Sequence, residues 1–197
     1  MVSGVIVCLV GVCMGAECTK CIVGVATRSV ALPPQPPDTA PVRELRIVNA
    51  AELAAAFAAA NYCVLLDGDT LPLRVGEMAT DLEAYWPAGR YTFITAWNPA
   101  SEPHSDGANE TADGLLVRQL NASGVSRRPA WAEGTGGDWR EPGWLLADVG
   151  TDDCLRLAQE FGQAGVLMWE LGQPVRLRMM VPRPADAAAT ACVDWVE

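Results

Sequence analysis

The sequence YTFITAWNPASEPHSDGANETADGLLVRQLN, which runs from Tyr91 to Asn121, predicts a buried strand, a polar turn and an amphipathic helix in succession. Positions 91–97 are rich in β-branched and aromatic residues, and the strand stops at Asn98-Pro99 because proline has no N–H to donate to a neighbouring strand. Apolar residues then recur at three- and four-residue spacing, which predicts a helix that packs against the strand: Ala108, Ala112, Leu115, Leu116 and Leu120. A strand end, a polar loop and a helix N-terminus therefore meet, and we expect a functional site there.

The composition is that of a folded, acidic domain. The chain has 197 residues, of which 50% are hydrophobic and 19% charged, enough to bury a core without disulfide or metal staples. Its 24 acidic and 14 basic residues give a formal net charge of −10. Nucleic acids and anionic membranes attract basic surfaces, so we expect neither as a partner.

Cysteine usage predicts a reducing compartment. The seven cysteines are odd in number and unevenly spread, which favours reduced thiols in the cytoplasm over a disulfide framework. Cys18 and Cys21 form a lone Cys-x-x-Cys without the second pair or the histidines of a zinc site. We therefore expect no bound metal and no cofactor.

Composition shifts along the chain predict one folded domain with two less structured flanks. Residues 1–41 combine an uncharged apolar start with a Pro-rich linker and predict a poorly structured extension, which an upstream start codon would also explain. An export signal is a second interpretation, although no basic residue precedes Lys20. Residues 42–181 predict a single domain, and the Pro- and Ala-rich residues 182–197 a loose tail.

Periodicity predicts the order β-α-β-β-α-β-β from Thr92 onward. Strands are expected at 127–132, 144–149, 165–170 and 175–180, and a helix at 151–161. This mixture indicates an α+β fold with a mainly antiparallel sheet and helices on one face, for which the ferredoxin-like arrangement is one candidate.

Spaced motifs in this region resemble those of a bacterial family known as domain of unknown function 3293. They comprise TAWNPAS at 95–101, Asn109 at a helix start, WREP at 139–142 and FGQA at 161–164. The resemblance extends over roughly residues 51–180, and it implies a fold boundary and a set of site residues but no reaction.

The candidate ligand-binding residues are polar side chains expected at one edge of the sheet: Thr95, Asn98, Ser101, Asn109, Glu141 and Gln163. A helix N-terminus offers free backbone N–H groups and a positive dipole end, which favour an anion. In the competing interpretation, Asn98 and Ser101 bond their own turn, and Ser105, Asp106 or Asn109 caps the helix.

Two functions follow from these alternatives. One is a domain that binds a small anionic or nucleotide-like ligand at the strand-to-helix turn. The other is a protein-interaction or accessory module without ligand or catalysis. The chain has a single histidine, His104, so a Ser-His-Asp or Cys-His arrangement depends on that residue; we assign no catalytic residue and leave enzymatic activity open.

Overall fold

The computed structural model describes residues 49–137, 139–185 and 187–197. The expected N-terminal extension and the Cys18–Cys21 pair lie outside the described residues. The elements, in chain order, are α1 (Ala50–Ala59), β1 (Asn61–Leu66), β2 (Asp69–Leu73), α2 (Thr80–Tyr85), β3 (Arg90–Ile94), a short 3-10 turn (Pro99–Ser101), α3 (Asp106–Ser123), β4 (Arg127–Glu133), β5 (Arg140–Ala147), α4 (Thr151–Glu160), β6 (Gly165–Glu170), β7 (Arg176–Pro182) and β8 (Val193–Val196). None of the helices in this part of the chain is long and apolar enough to cross a membrane.

The strands form one sheet in the order β2-β1-β4-β5-β3-β6-β7-β8. Neighbouring strands pair antiparallel throughout the described chain, except that β7 and β8 run parallel. The α+β class and the mainly antiparallel sheet are thus confirmed.

The centre of the sheet has the topology expected from the sequence. The run β3-α3-β4-β5-α4-β6 has the β-α-β-β-α-β order of a ferredoxin-like motif, and its strands lie side by side as β4-β5-β3-β6. Leu116 and Leu120 of α3 share a hydrophobic cluster with Leu157 of α4 and Ile94 of β3. Both helices of this core therefore pack on the same face.

The opposite face carries two further helices, α1 and α2, which precede the β-α-β-β-α-β-β core whose own helices share one face. Ala54 of α1 and Leu82 of α2 belong to a second cluster with Phe93 and Leu145. Phe93 and Ile94 point to opposite faces, yet they are 4% and 1% exposed. Because β3 is apolar on both faces, each face needs a cover of its own.

The C-terminal residues also differ from the expected loose tail. Val193–Val196 forms β8, which pairs with β7, and Val193 is buried. The Leu177 N–H donates to the Cys192 carbonyl at 2.8 Å, and Arg176 holds Asp194 through two contacts of 2.7 and 2.8 Å. The Ala- and Pro-rich composition before this strand conceals a short V-D-W-V segment with β propensity.

Candidate functional site

The turn between β3 and α3 is held by Thr95. Its hydroxyl donates to the Pro142 carbonyl at 2.7 Å and accepts from the Trp97 N–H at 3.0 Å. This second bond turns the backbone away from the sheet, so β3 ends at Ile94 rather than at Trp97 as the sequence predicts. The chain then passes through left-handed conformations, with φ of 47° at Asn98 and 61° at Ser101.

Asn98 is the centre of a hydrogen-bond network. Its Oδ1 accepts from the Asn109 Nδ2 at 3.0 Å and from the His104 N–H at 2.9 Å, while its backbone N–H donates to the Asn109 Oδ1 at 3.0 Å. Its Nδ2 donates to the Glu141 Oε1 at 2.7 Å. Asn109 is 2% exposed, so its amide is committed to fixing this turn.

Ser105 caps α3, a role that the sequence left open between several residues. Its side chain accepts from the Ala108 N–H at 3.4 Å, and its carbonyl accepts from the Ala108 and Asn109 N–H groups. The N–H groups of Ala108 and Asn109 are thus satisfied within the helix start, which weakens the case for an anion at this position.

Glu141 carries a partly buried negative charge. Burial raises the pKa of its carboxyl group, and the hydrogen bond from Asn98 opposes this rise without cancelling it. The second carboxylate oxygen, Oε2, has no hydrogen-bond partner in the described residues, and no cation there forms an ion pair with it. Oε2 is not among the buried polar atoms that lack a partner, so it reaches solvent, and the cost of this carboxylate is the partial burial that raises its pKa.

Gln163 lies just beyond α4 and joins the turn from the other side. Its Nε2 donates to the Trp97 carbonyl at 3.1 Å and to the Phe161 carbonyl at 3.4 Å, and the residue is 8% exposed. No group among the described residues donates to its Oε1. The Ala100 N–H reinforces the junction by donating to the Gly162 carbonyl at 2.7 Å.

Thr95, Glu141 and Gln163 line a cavity of about 30 Å³, which we call the Glu141 cavity. Its wall is completed mainly by aromatic and small residues: Phe57, Tyr62, Phe93, Ala132, Trp139 and Gly165. The space follows from the register, since Tyr62 on β1 lies opposite Ala132 on β4 and Ala132 lies opposite Glu141 on β5. The methyl group of Ala132, between the longer side chains of Tyr62 and Glu141, leaves this space unfilled.

Comparison with protein families identifies part of the chain. Residues 94–166 match the family model described as "Protein of unknown function (DUF3293)". This segment is similar to that family. No curated protein and no solved structure matches the chain.

All predicted site residues lie within the DUF3293 segment, and the structure joins all of them except Ser101. Asn98, Asn109 and Glu141 share the hydrogen-bond network, and Thr95 and Gln163 share the cavity with Glu141. Ser101 is exposed, and its hydroxyl makes no hydrogen bond within the described chain; only its N–H is used, donating to the Asn98 carbonyl at 2.9 Å.

The competing interpretation also accounts for part of the geometry. Asn98 and Asn109 do bond their own turn, and Ser105 is the helix cap. His104 contributes its backbone N–H, while its exposed side chain does not line the cavity. The two asparagines therefore fix the turn, and Asn98 also holds one oxygen of Glu141.

No sequence pattern predicted the aromatic residues that line the Glu141 cavity, which we call the aromatic wall. Phe57, Tyr62 and Phe93 precede the DUF3293 segment. Strand pairing brings Tyr62 and Phe93 to Glu141, and the packing of α1 on the sheet brings Phe57. Tyr62 and Phe93 meet edge to face with ring centroids 5.4 Å apart. The Tyr62 hydroxyl donates to the Phe57 carbonyl at 2.9 Å, and burial, followed by the charge of Glu141, raises the pKa of Tyr62 well above its usual range.

The described residues contain no set of side chains suited to bind a metal ion. Among residues 49–137, 139–185 and 187–197, no group of three or more His, Cys, Asp or Glu side chains is arranged to hold a metal ion. What the Glu141 cavity does offer is a partly desolvated carboxylate, an amide oxygen and aromatic surface. These groups suit recognition of a polar end group.

Proposed function

We propose that this domain binds a small molecule that inserts one end group into the Glu141 cavity. Thr95, Glu141 and Gln163 face that group, and Asn98 and Asn109 hold Glu141 in place. The observation that carries the proposal is the Glu141 carboxylate, which is partly buried beside a cavity and has one oxygen without a partner in the described chain. A carboxylate whose pKa is raised by burial beside a cavity is a candidate for a functional role.

The proposed ligand differs in charge from the anionic or nucleotide-like molecule that the turn suggests in sequence. Glu141 repels an anion, and the chain as a whole is acidic, with a net charge of −10. A cavity of about 30 Å³ is also far smaller than the roughly 300–1,000 Å³ of a site that encloses a drug-sized ligand. The proposal is therefore a neutral or cationic ligand of which a single group enters.

Ser101 has no part in this proposal. Its exposed hydroxyl lies on the outer side of the turn, so the Ser101→Ala variant is expected to bind ligand like the parent. The proposal includes a cytoplasmic location, which the free thiols of Cys63, Cys154 and Cys192 support.

A ligand panel tests the proposal. Protonated amines, neutral alcohols, carboxylates, phosphates and nucleotides are each titrated into the isotopically labelled protein while the indole N–H of Trp139 is followed by NMR. We expect one class to shift this signal in a saturable manner. If no class shifts the Trp139 signal, the binding function is refuted.

A cavity-filling variant supplies the matched control. Ala132→Leu adds carbon atoms between Tyr62 and Glu141 and should abolish the titration, whereas Ala122→Leu makes the same change at an exposed position of α3 and should leave it intact. Equal binding by both variants would exclude the cavity as the site. If Ala132→Leu fails to fold, mapping of the shifts on the unaltered protein still locates the ligand.

A protein-interaction module is the second candidate, and one observation favours it. Met78, Tyr85 and Leu171 are 49%, 70% and 51% exposed. They lie in or beside segments that contact one another, because the Leu171 N–H donates to the Gly89 carbonyl, the Gly172 N–H donates to Glu83, and Met78 bridges to Pro174. Exposed apolar groups in neighbouring segments are typical of contact surfaces.

This second candidate predicts association that depends on Tyr85. Sedimentation velocity of the purified chain should detect a complex, with itself or with a co-purifying protein, that Tyr85→Ser dissociates and Tyr85→Phe retains. A monomer at all concentrations with no co-purifying protein contradicts it.

A further inference from the structure

Apart from the indole N–H of Trp139, the polar side-chain atoms left free in the residues that line the Glu141 cavity are hydrogen-bond acceptors. The Thr95 hydroxyl is used in both senses, donating to Pro142 and accepting from Trp97. The Gln163 amide donates to two carbonyls, and the Tyr62 hydroxyl donates to Phe57. Because these donors are already used, a ligand can only donate hydrogen bonds to the side chains of Thr95, Tyr62, Glu141 and Gln163.

Three acceptors remain along this wall. They are the Oε2 of Glu141, the Oε1 of Gln163 and a lone pair of the Tyr62 hydroxyl, none of which has a donor among the described residues. A bound group that satisfies these three atoms must bring its own hydrogens. A carboxylate or a phosphate could accept only from the Trp139 indole, and the charge of Glu141 repels it.

The remaining wall is aromatic. Phe57, Tyr62, Phe93 and Trp139 line the same space as the carboxylate. The face of an aromatic ring carries partial negative charge and attracts a cation, most strongly where water is excluded. The aromatic groups and Glu141 thus favour the same sign of charge.

The size of the cavity restricts the cation. A space of about 30 Å³ favours a small end group over a bulky one. An ammonium group is compact and carries three N–H donors. A guanidinium group and a quaternary ammonium group are both larger, and the latter has no N–H to donate.

We infer that the Glu141 cavity binds the protonated primary amine of a small ligand, which donates to Glu141 and Gln163 and contacts the aromatic wall. This inference rests on the proposed function, since it names the class of ligand for the same cavity. The rest of such a ligand lies outside, where Glu141 and Trp139 reach partial exposure. Asn98 acts here as a positioning residue, because it holds the other oxygen of the Glu141 carboxylate at 2.7 Å.

Methylammonium chloride is the probe, and methanol is its neutral counterpart with the same number of heavy atoms. For a ligand of two heavy atoms we expect a Kd on the order of 10 mM, measured by the NMR shift of the Trp139 indole at constant ionic strength set with sodium chloride. Methanol, tetramethylammonium, acetate and phosphate should bind at least tenfold more weakly.

Glu141→Gln keeps an oxygen for Asn98 and removes the charge, and it should weaken methylammonium binding at least tenfold. Glu133→Gln removes the same charge from β4 without altering the cavity wall, and its Kd should stay within twofold of the parent. Glu141→Asp keeps the charge and should retain measurable binding.

The outcomes separate this inference from the proposed function. Tighter binding of methanol, acetate or phosphate than of methylammonium, or full methylammonium affinity in Glu141→Gln, overturns the amine while leaving a cavity that binds another ligand. Absence of any shift at Trp139 with every compound overturns both.

Discussion

At the residue scale, the Glu141 carboxylate that we propose for ligand binding also lowers the stability of the fold. Because burial raises the pKa of this carboxyl group, the folded chain holds the proton at a higher pH than the unfolded chain does. Ionised Glu141 therefore lowers the free energy of unfolding, by the full amount above its folded pKa and by less as the pH falls toward the ordinary value of 4.5. A residue that destabilises the fold at neutral pH is expected to serve another purpose.

Glu141→Gln should consequently raise the free energy of unfolding at pH 7 while it reduces amine binding. Urea titrations at pH 4 and pH 7 measure the first effect. The free energy of unfolding of the variant should exceed that of the parent at pH 7, and most of this difference should disappear at pH 4. A variant that is less stable than the parent at pH 7 contradicts this account, because it would mean that the hydrogen bond from Asn98 outweighs desolvation.

Gly143 shows how closely β5 packs against β3. A Cβ atom there would lie 2.7 Å from the Ile94 carbonyl oxygen and 3.0 Å from ring carbons of Phe93. The backbone oxygen cannot swing aside as a flexible side chain does, so Gly143→Ala should lower the free energy of unfolding by about 1–3 kcal/mol.

Gly114 is the matched control for that substitution. It lies inside α3, and a Cβ atom there would meet nothing within 4 Å. Gly114→Ala should raise the free energy of unfolding by about 0.5–1 kcal/mol, because alanine favours the helix. Chemical denaturation measures the change in the free energy of unfolding for both variants. Equal changes would refute the close approach of β5 to β3.

At the scale of elements, the turn from β3 to α3 depends on one amide. Asn98→Ala removes the bonds to Asn109, His104 and Glu141 and leaves a β-carbon in a left-handed conformation. We expect a loss of about 2–4 kcal/mol in the free energy of unfolding, measured by thermal or chemical denaturation.

The same variant separates a turn that only stabilises the fold from one that also supports binding. If Asn98 positions Glu141, methylammonium affinity should fall in Asn98→Ala even at temperatures where the variant is fully folded. Unchanged affinity in the folded variant would restrict Asn98 to the turn itself. Ser101→Ala, which alters the outer side of this turn, serves as the control.

The sequence predicted those elements whose signals are local. The periodicity of α3, the strand run before Asn98 and the β-α-β-β-α-β order all follow from neighbouring residues, and the structure contains them. The convergence of Thr95, Asn98, Asn109, Glu141 and Gln163 was expected as a set. The cavity was not, because it depends on Tyr62 lying opposite Ala132, a pairing between residues seventy positions apart that no local pattern encodes.

At the scale of the whole molecule, β8 is the outer strand at one edge of the sheet. Its pairing covers β7, whose Leu177 and Met179 are 1% and 0% exposed. An uncovered edge strand presents free backbone N–H and C=O groups to other chains. β7 has seven residues and β8 has four, so the segment that the sequence assigns to a loose tail gives the sheet a shorter edge, which limits association.

Removal of residues 183–197 tests this role of β8. The truncated chain should unfold at a lower temperature and self-associate, because β7 loses its partner strand and the buried Val193 loses its contacts. Asp194→Asn breaks only the contact with Arg176, whose side chains are 37% and 44% exposed, and it should change the free energy of unfolding by less than about 1 kcal/mol. Light scattering and thermal denaturation compare the two proteins. If the truncated chain stays monomeric and its unfolding temperature is unchanged, residues 182–197 behave as the loose tail that the sequence predicts.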